Sequence, residues 1–180
     1  KWIELATRTA EQNLTSKQAA ASNIYQRYVK LQSTLGLDAL PERLECFDIS
    51  HSSGEATVAS CVVFNQEGPL KSDYRRFNIE NITPGDDYAA MEQALRRRYK
   101  RLQDGEGSLP DILFIDGGKG QLRIAEDVLG ELGVVGVTLV GIAKGSSRKP
   151  GLETLLLTTD NGEREILPEP SGLLLIQQIR

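Results

Sequence analysis

Leu44–Glu45–Cys46–Phe47–Asp48–Ile49–Ser50–His51 and Asp111–Ile112–Leu113–Phe114–Ile115–Asp116–Gly117–Gly118–Lys119–Gly120 decide the fold. Each contains a short apolar run read as a buried strand, and each run delivers one aspartate. A carboxylate inside or at the end of a buried strand is costly unless something compensates it. Two such strands, separated by a β-meander and a helix, are the arrangement expected when two aspartates share a metal ion. They point to metal-assisted phosphoryl chemistry.

Upstream of the first strand, residues 3–35 read as one helix. Ile24, Tyr28, Leu31 and Leu35 recur at helical spacing, Ala19–Ala20–Ala21 favours helix, and Gly36 is its expected stop. Residues 38–43, with Pro41, form a connector. The chain thus divides into a helical entry segment, 1–43, and a single domain, 44–180. Because it opens on Lys1–Trp2 without a methionine, it reads as a piece of a longer protein and the helix as the end of a linker.

From Leu44 the period changes to two, with strands expected at 44–50, 57–65 and 70–79. The last two are joined by the turn Gln66–Glu67–Gly68–Pro69. Thr83–Pro84–Gly85–Asp86 opens a helix over 87–103, whose apolar face is Tyr88, Met91, Leu95, Tyr99 and Leu102. A strand at 111–116, a helix at 119–132 and a strand at 137–143 follow. Asp160–Asn161–Gly162 turns a hairpin between 153–159 and 163–167, and Pro170–Ser171 start a last helix. The order β-β-β-α-β-α-β plus a terminal helix is that of the ribonuclease-H-like α/β core, a mixed sheet flanked by helices. In that core the first and fourth strands are parallel neighbours, so Asp48 and Asp116 would meet at the sheet centre.

Composition sets broad limits. With 180 residues, 39% hydrophobic and 26% charged, the chain suits one ordinary globular domain. It has neither an apolar run of the roughly 18 residues a membrane span needs nor a signal-peptide pattern at its start. Cys46 and Cys61 sit in apolar strands and are expected to be reduced, buried thiols, so a cytoplasmic location is the expectation. The net charge of −4 argues against a nucleic-acid partner, but residues 71–101 hold eight Lys/Arg against five Asp/Glu. A local basic surface can bind a phosphate backbone on an acidic chain.

Each candidate has a structural alternative. Asp48 and Asp116 suit Mg²⁺ or Mn²⁺, hard ions that take carboxylate oxygens and keep several waters; alternatively one ends its strand and the other caps a turn. Asp116–Gly117–Gly118–Lys119–Gly120–Gln121–Leu122 is a glycine-rich strand-to-helix turn able to expose N–H groups to a phosphate. It matches neither the mononucleotide P-loop nor the dinucleotide fingerprint. Lys119 would contact a phosphate there, or be a solvated lysine at a helix start. Asp86 and Asp87 stand where acids favour a helix start. Arg96, Arg97, Arg98, Lys100 and Arg101 form either a solvated helix face or a DNA-backbone contact. Arg75 and Arg76 alternate across a strand, so at most one shares the active face. His51, the single histidine, would lie on the opposite side from Asp48 and is read as structural. Zinc is not expected, for want of a Cys/His cluster.

The strings Glu45–Cys46–Phe47–Asp48–Ile49–Ser50–His51, Asp73–Tyr74–Arg75–Arg76–Phe77, Gly85–Asp86–Asp87–Tyr88–Ala89, Leu95–Arg96–Arg97–Arg98–Tyr99 and Ile115–Asp116–Gly117–Gly118–Lys119–Gly120–Gln121–Leu122 follow one another in this order. So do Gly141–Ile142–Ala143–Lys144–Gly145 and Leu152–Glu153–Thr154–Leu155. Together they resemble the C-terminal endonuclease domain of the UvrC family of bacterial excision-repair subunits, over about 44–180. The resemblance implies a Mg²⁺- or Mn²⁺-dependent nuclease that cuts damaged DNA on the 5′ side of a lesion. It places the metal on Asp48 and Asp116 and makes Asp87 a further acid of the same incision. Lys119, Lys144, Arg75, Arg76 and Arg96 to Arg98 are read here as the contacts to the DNA strand. Damage recognition would come from the partners UvrA and UvrB. The family's catalytic histidine would fall after Arg180, which implies weak or absent cutting by this chain alone. The alternative is a catalytically deficient DNA- or partner-binding module. A nucleotide-binding regulator built on the Gly117–Gly120 turn is a third reading.

Overall fold

Strand β1 (Arg43–His51) is the hub of the sheet. In the computed structural model, which describes residues 2–51, 56–144 and 153–180, β1 runs antiparallel to β2 (Thr57–Asn65) on one side and parallel to β5 (Ile112–Ile115) on the other. Beyond β5 lie β6 (Thr138–Ala143), parallel to it, and then the antiparallel hairpin of β7 (Thr154–Thr159) and β8 (Gly162–Ile166). Beyond β2 lie β3 (Gly68–Pro69) and β4 (Arg75–Asn78), each paired antiparallel to it. The expected neighbours, the first strand and the one ending in Asp116, are therefore adjacent and parallel. The ribonuclease-H-like order expected of the sequence is the order of this sheet.

Alternation along β1 divides the core. Phe47 and Ile49 point into a layer with helices α2 (Asp87–Gln103) and α3 (Lys119–Glu131), through Met91, Leu95, Tyr99, Leu122 and Ala125. Leu44 and Cys46 point the other way, toward α1 (Trp2–Leu35) and α4 (Pro170–Ile179). Only the C-terminal part of α1 reaches this layer, through Tyr28, Leu31 and Leu35; residues 2–23 are exposed. Glycine at position 162, at φ +106°, closes the β7–β8 hairpin as the Asn161–Gly162 signal predicts. Among the described residues no helix is long and apolar enough to cross a membrane.

Three local expectations need correction. The strand expected at 70–79 is a short 3₁₀ turn at Lys71–Asp73 followed by β4, and the two-residue β3 falls in the turn expected at 66–69. Asp73 explains the 3₁₀ turn: its carboxylate takes the Arg43 guanidinium at 2.7 Å and the Ser72 hydroxyl at 3.1 Å, drawing the chain out of the ladder. Tyr88, expected on the buried face of α2, is 55% exposed, its ring lying against Gly120. Arg98, expected on the outer, DNA-facing side of α2, is buried.

Arg98 is buried because Glu45 is. Glu45, in the middle of β1, is 0% exposed and accepts from Arg98 Nη2 at 2.6 Å, Arg43 Nη2 at 3.3 Å and Tyr99 Oη at 3.4 Å. The ion pair bolts α2 to the central strand, and neither charge is tolerable without the other. Arg98→Leu leaves the buried carboxylate with only the longer Arg43 and Tyr99 bonds and is expected to cost about 3 kcal/mol, the lower end for breaking a buried pair. Urea unfolding followed by far-ultraviolet circular dichroism measures it, and Glu45→Leu in the same background should recover a large part of the loss.

Candidate active site

The β1–β5 ladder ends at Phe47 and Ile115, and Asp116 N–H donates to the Phe47 carbonyl at 2.9 Å. Asp48 and Asp116 are therefore the next residues on two adjacent parallel strands. By alternation both project on the α1–α4 side, as do Cys46 and Phe114 before them. Their charges interact. Burial raises the Asp48 pKa and the Asp116 carboxylate adds to that rise, while Lys144, Arg180 and the Ile49 N–H oppose it. The thiol of Cys46 beneath them is also pushed up, by burial first and then by Asp116 and Asp48.

Arg180, at the end of α4, closes the site. Its Nε donates to Asp116 Oδ2 at 3.0 Å and its Nη1 to Glu153 Oε1 at 3.1 Å. Glu153 is 5% exposed, so this guanidinium links a buried acid just ahead of β7 to the aspartate that follows β5. Sequence reasoning missed both residues. The one available signal was a lone acid opening the apolar strand Thr154–Leu155–Leu156–Leu157.

The donor set fits a hard divalent ion in kind: carboxylate oxygens whose mutual repulsion a cation would relieve. No group of three His, Cys, Asp or Glu side chains is gathered closely enough among the described residues to hold an ion by itself. Asp48 and Asp116 are accordingly the residues that would hold one, leaving room for water in the remaining positions.

The glycine turn is filled by its own neighbours. The Gln121 side chain folds over Gly117 so closely that a Cβ there would meet Oε1 at 1.5 Å, and the Tyr88 ring does the same at Gly120, at 2.6 Å. Lys119 is held sideways by β8, with Nζ 2.9 Å from Glu165 and 3.5 Å from Glu163. Lys144 is exposed and close enough to Asp48 to bias its ionisation. The strings at 141–145 and 152–155 extend into residues 145–152, which lie outside the described residues.

Asp87 lies with a different partner. His51 Nε2 is 2.6 Å from Asp87 Oδ1, and its Nδ1 is 3.1 Å from the Thr57 hydroxyl. This pair joins the end of β1 to the start of α2, where Asp86 caps the helix through the Ala89 N–H at 3.0 Å. Alternation places His51 opposite to Asp48, as expected, but its acid partner was not foreseen. Of the arginines, Arg96 binds Glu92 at 3.0 Å and also Glu131 of α3. Arg97 donates to the Asn78 carbonyl at 2.7 Å, and Arg75 to the carbonyls of Ser72 at 3.0 Å and Tyr74 at 2.8 Å. Arg76 is exposed.

The raised Asp48 pKa has a definite consequence for stability. A carboxyl whose folded pKa lies above its unfolded value favours the fold when protonated, and that contribution is lost as pH rises through the folded pKa. Asp48→Asn should therefore stabilise the metal-free chain at pH 7, with the gain disappearing as pH falls below the ordinary value of 3.8. Denaturant midpoints at the two pH values measure the difference.

A family model described as the UvrC RNase H endonuclease domain matches residues 32–180. UvrABC system protein C of Pseudomonas putida is 59% identical over 180 residues, a match that covers 100% of this chain and 30% of that protein. The protein of the same name from Alkalilimnicola ehrlichii is 61% identical over 181 residues, with the same coverage. This chain thus spans about 30% of the length of the curated relatives it matches. Among solved structures, the catalytic domain of human Endonuclease V is a remote likeness, with a TM-score of 0.46 and 13% identity over 94% of this chain and 87% of that one. The family match takes in the last turn of α1, every strand of the sheet and both aspartates of the site, and on it and the identity of its relatives this chain belongs to the UvrC RNase H endonuclease domain family.

Proposed function

We propose that this chain is the metal-dependent endonuclease module that hydrolyses a DNA phosphodiester, making the 5′ incision of nucleotide excision repair. The observation that carries the reading is the pairing of Asp48 and Asp116 after the last rung of the β1–β5 ladder, in a chain of the UvrC endonuclease family. Mg²⁺ or Mn²⁺ held there would stabilise charge on the phosphoryl oxygens and make a bound water acidic enough to attack.

The chain's own groups divide the remaining work. Asp48 and Asp116 would hold the ion through their carboxylate oxygens. Arg180 steadies the Asp116 carboxylate through its second bond to buried Glu153, as an outer-shell partner does. Lys144 lies beside Asp48 and would meet a phosphate next to the cut, whereas Lys119 is engaged by Glu163 and Glu165 of β8. Asp87 orients His51, which fixes the entrance of α2 beside the strand. Damaged DNA would be delivered by UvrA and UvrB acting on the longer protein.

A second reading, a DNA- or partner-binding module with little activity, draws on one observation. Only two carboxylates converge among the described residues, and Arg180 already partly neutralises one of them. Calorimetric titration of Mn²⁺ into the chain and into Asp48→Ala separates the readings. Binding that vanishes in the variant is expected. In the longer protein, Asp48→Ala and Asp116→Ala should lower 5′ incision by more than the roughly 10–100-fold typical of losing an outer-shell partner. Affinity for damaged DNA should be unchanged, and retained 5′ incision in either variant would overturn the assignment.

A further inference from the structure

Next to Asp48 the α1–α4 side of the sheet carries a strip that the two helices leave open. Asp48 and Ser50 on β1 are exposed, and Ser60 and Val62 on β2 are half-buried, whereas Leu44, Cys46 and Phe64 farther along lie beneath the helices. The register puts Asp48 opposite Ser60 and Ser60 opposite Arg76. Residues in such a row share a face, so Asp48, Ser60 and Arg76 stand in line across three strands. A shallow groove of about 440 Å³ covers the Ser60 and Arg76 part of this row, its lining including Ser50, Val58, Ser60, Tyr74, Arg75 and Arg76.

Several arginines are already engaged within the protein. Arg75, Arg96, Arg97, Arg98 and Arg180 all bond to protein groups. Arg76 is exposed and has no hydrogen-bond or ion-pair partner among the described residues. Lys144 lies near the other end of the row, by Asp48. Free cations thus flank a line of neutral hydroxyls, a pattern suited to phosphate oxygens and without groups that would read one base over another.

We propose that one DNA strand lies across β1, β2 and β4 along this row, with Arg76 holding its phosphate backbone, and that the arginine-rich face of α2 does not carry it. Two strand spacings, about 10 Å, separate Asp48 from Arg76. Arg76 therefore grips a phosphate close along the strand to the one at Asp48. Ser60 lies midway and donates its hydroxyl to the intervening backbone. This deepens the endonuclease reading and rests on it. That reading fails on Mn²⁺ heats unchanged by Asp48→Ala, whereas the strand path fails on DNA affinity alone.

The test is fluorescence anisotropy of a labelled single-stranded oligonucleotide titrated with the whole 180-residue chain at several salt concentrations, without divalent metal. Arg76→Gln should weaken binding by roughly three- to tenfold and lower the salt slope by about 0.7. Ser60→Asp, which puts a negative charge in the middle of the path, should weaken it at least as much. Arg101→Gln removes the same charge from exposed α2 and should stay within about twofold of the parent. Circular dichroism melts confirm that each variant is folded. Parental affinity in both Arg76→Gln and Ser60→Asp overturns the path. So does a loss in Arg101→Gln equal to that in Arg76→Gln, or the absence of saturable binding by the parent chain.

Discussion

The parallel register of β1 against β5 is the constraint on which the rest depends. It is pinned at both ends. At one end the Asp111 carboxylate accepts from the Glu42 and Arg43 N–H groups at 2.7 and 2.9 Å, while the Asp111 N–H donates to the Arg43 carbonyl at 2.9 Å. At the other, the Asp116 N–H donates to the Phe47 carbonyl. A slip of one residue would turn every side chain of β1 to the wrong face. Glu45 would leave Arg98, Cys46 would leave the α1–α4 layer, and Asp48 would point away from Asp116. The buried ion pair and the pair of aspartates thus depend on the same register.

Those two groups of carboxylates illustrate opposite uses of charge. Glu45 is enclosed and matched by Arg98 and Arg43, with Tyr99 completing its hydrogen bonds, so it is committed to holding β1 against α2. Asp48, three residues on and on the other face, has a charged neighbour of its own sign and is only partly relieved by Lys144 and Arg180. The first arrangement leaves no electrostatic demand for another ligand. The second leaves one, and a divalent cation is the ligand whose charge and oxygen preference meet it.

Much of this was legible in the sequence, because strands and helices announce themselves through local period. The limits of α2, the β7–β8 hairpin and the adjacency of the two aspartate-bearing strands follow from spacing and element order. What escaped depends on partners distant in sequence. Asp73 reads as an ordinary strand residue until Arg43, thirty positions earlier, pulls it into a turn. His51 reads as an isolated histidine until α2 brings Asp87 to it from 36 positions away. Arg180 and Glu153 meet only because α4 packs back onto the sheet and brings its end to the residue ahead of β7. No period encodes such meetings.

Charge was the most misleading local signal, and the reason bears on function. Eight basic residues between 71 and 101 suggest a basic surface, with the three consecutive arginines of α2 as its centre. Folding redistributes them. Arg98 goes into the core, Arg96 bridges to α3 and Arg97 closes on the β4 backbone, all of them fixing α2 in place. A cation already bonded within the protein must lose that partner before it can meet a phosphate, so its net gain from DNA is small. Arg76 loses nothing of the kind. The electrostatic footprint of this domain is therefore set by which cations remain unmatched after folding, and near the aspartates these are Lys144, which follows β6, and Arg76, on the open strip of sheet.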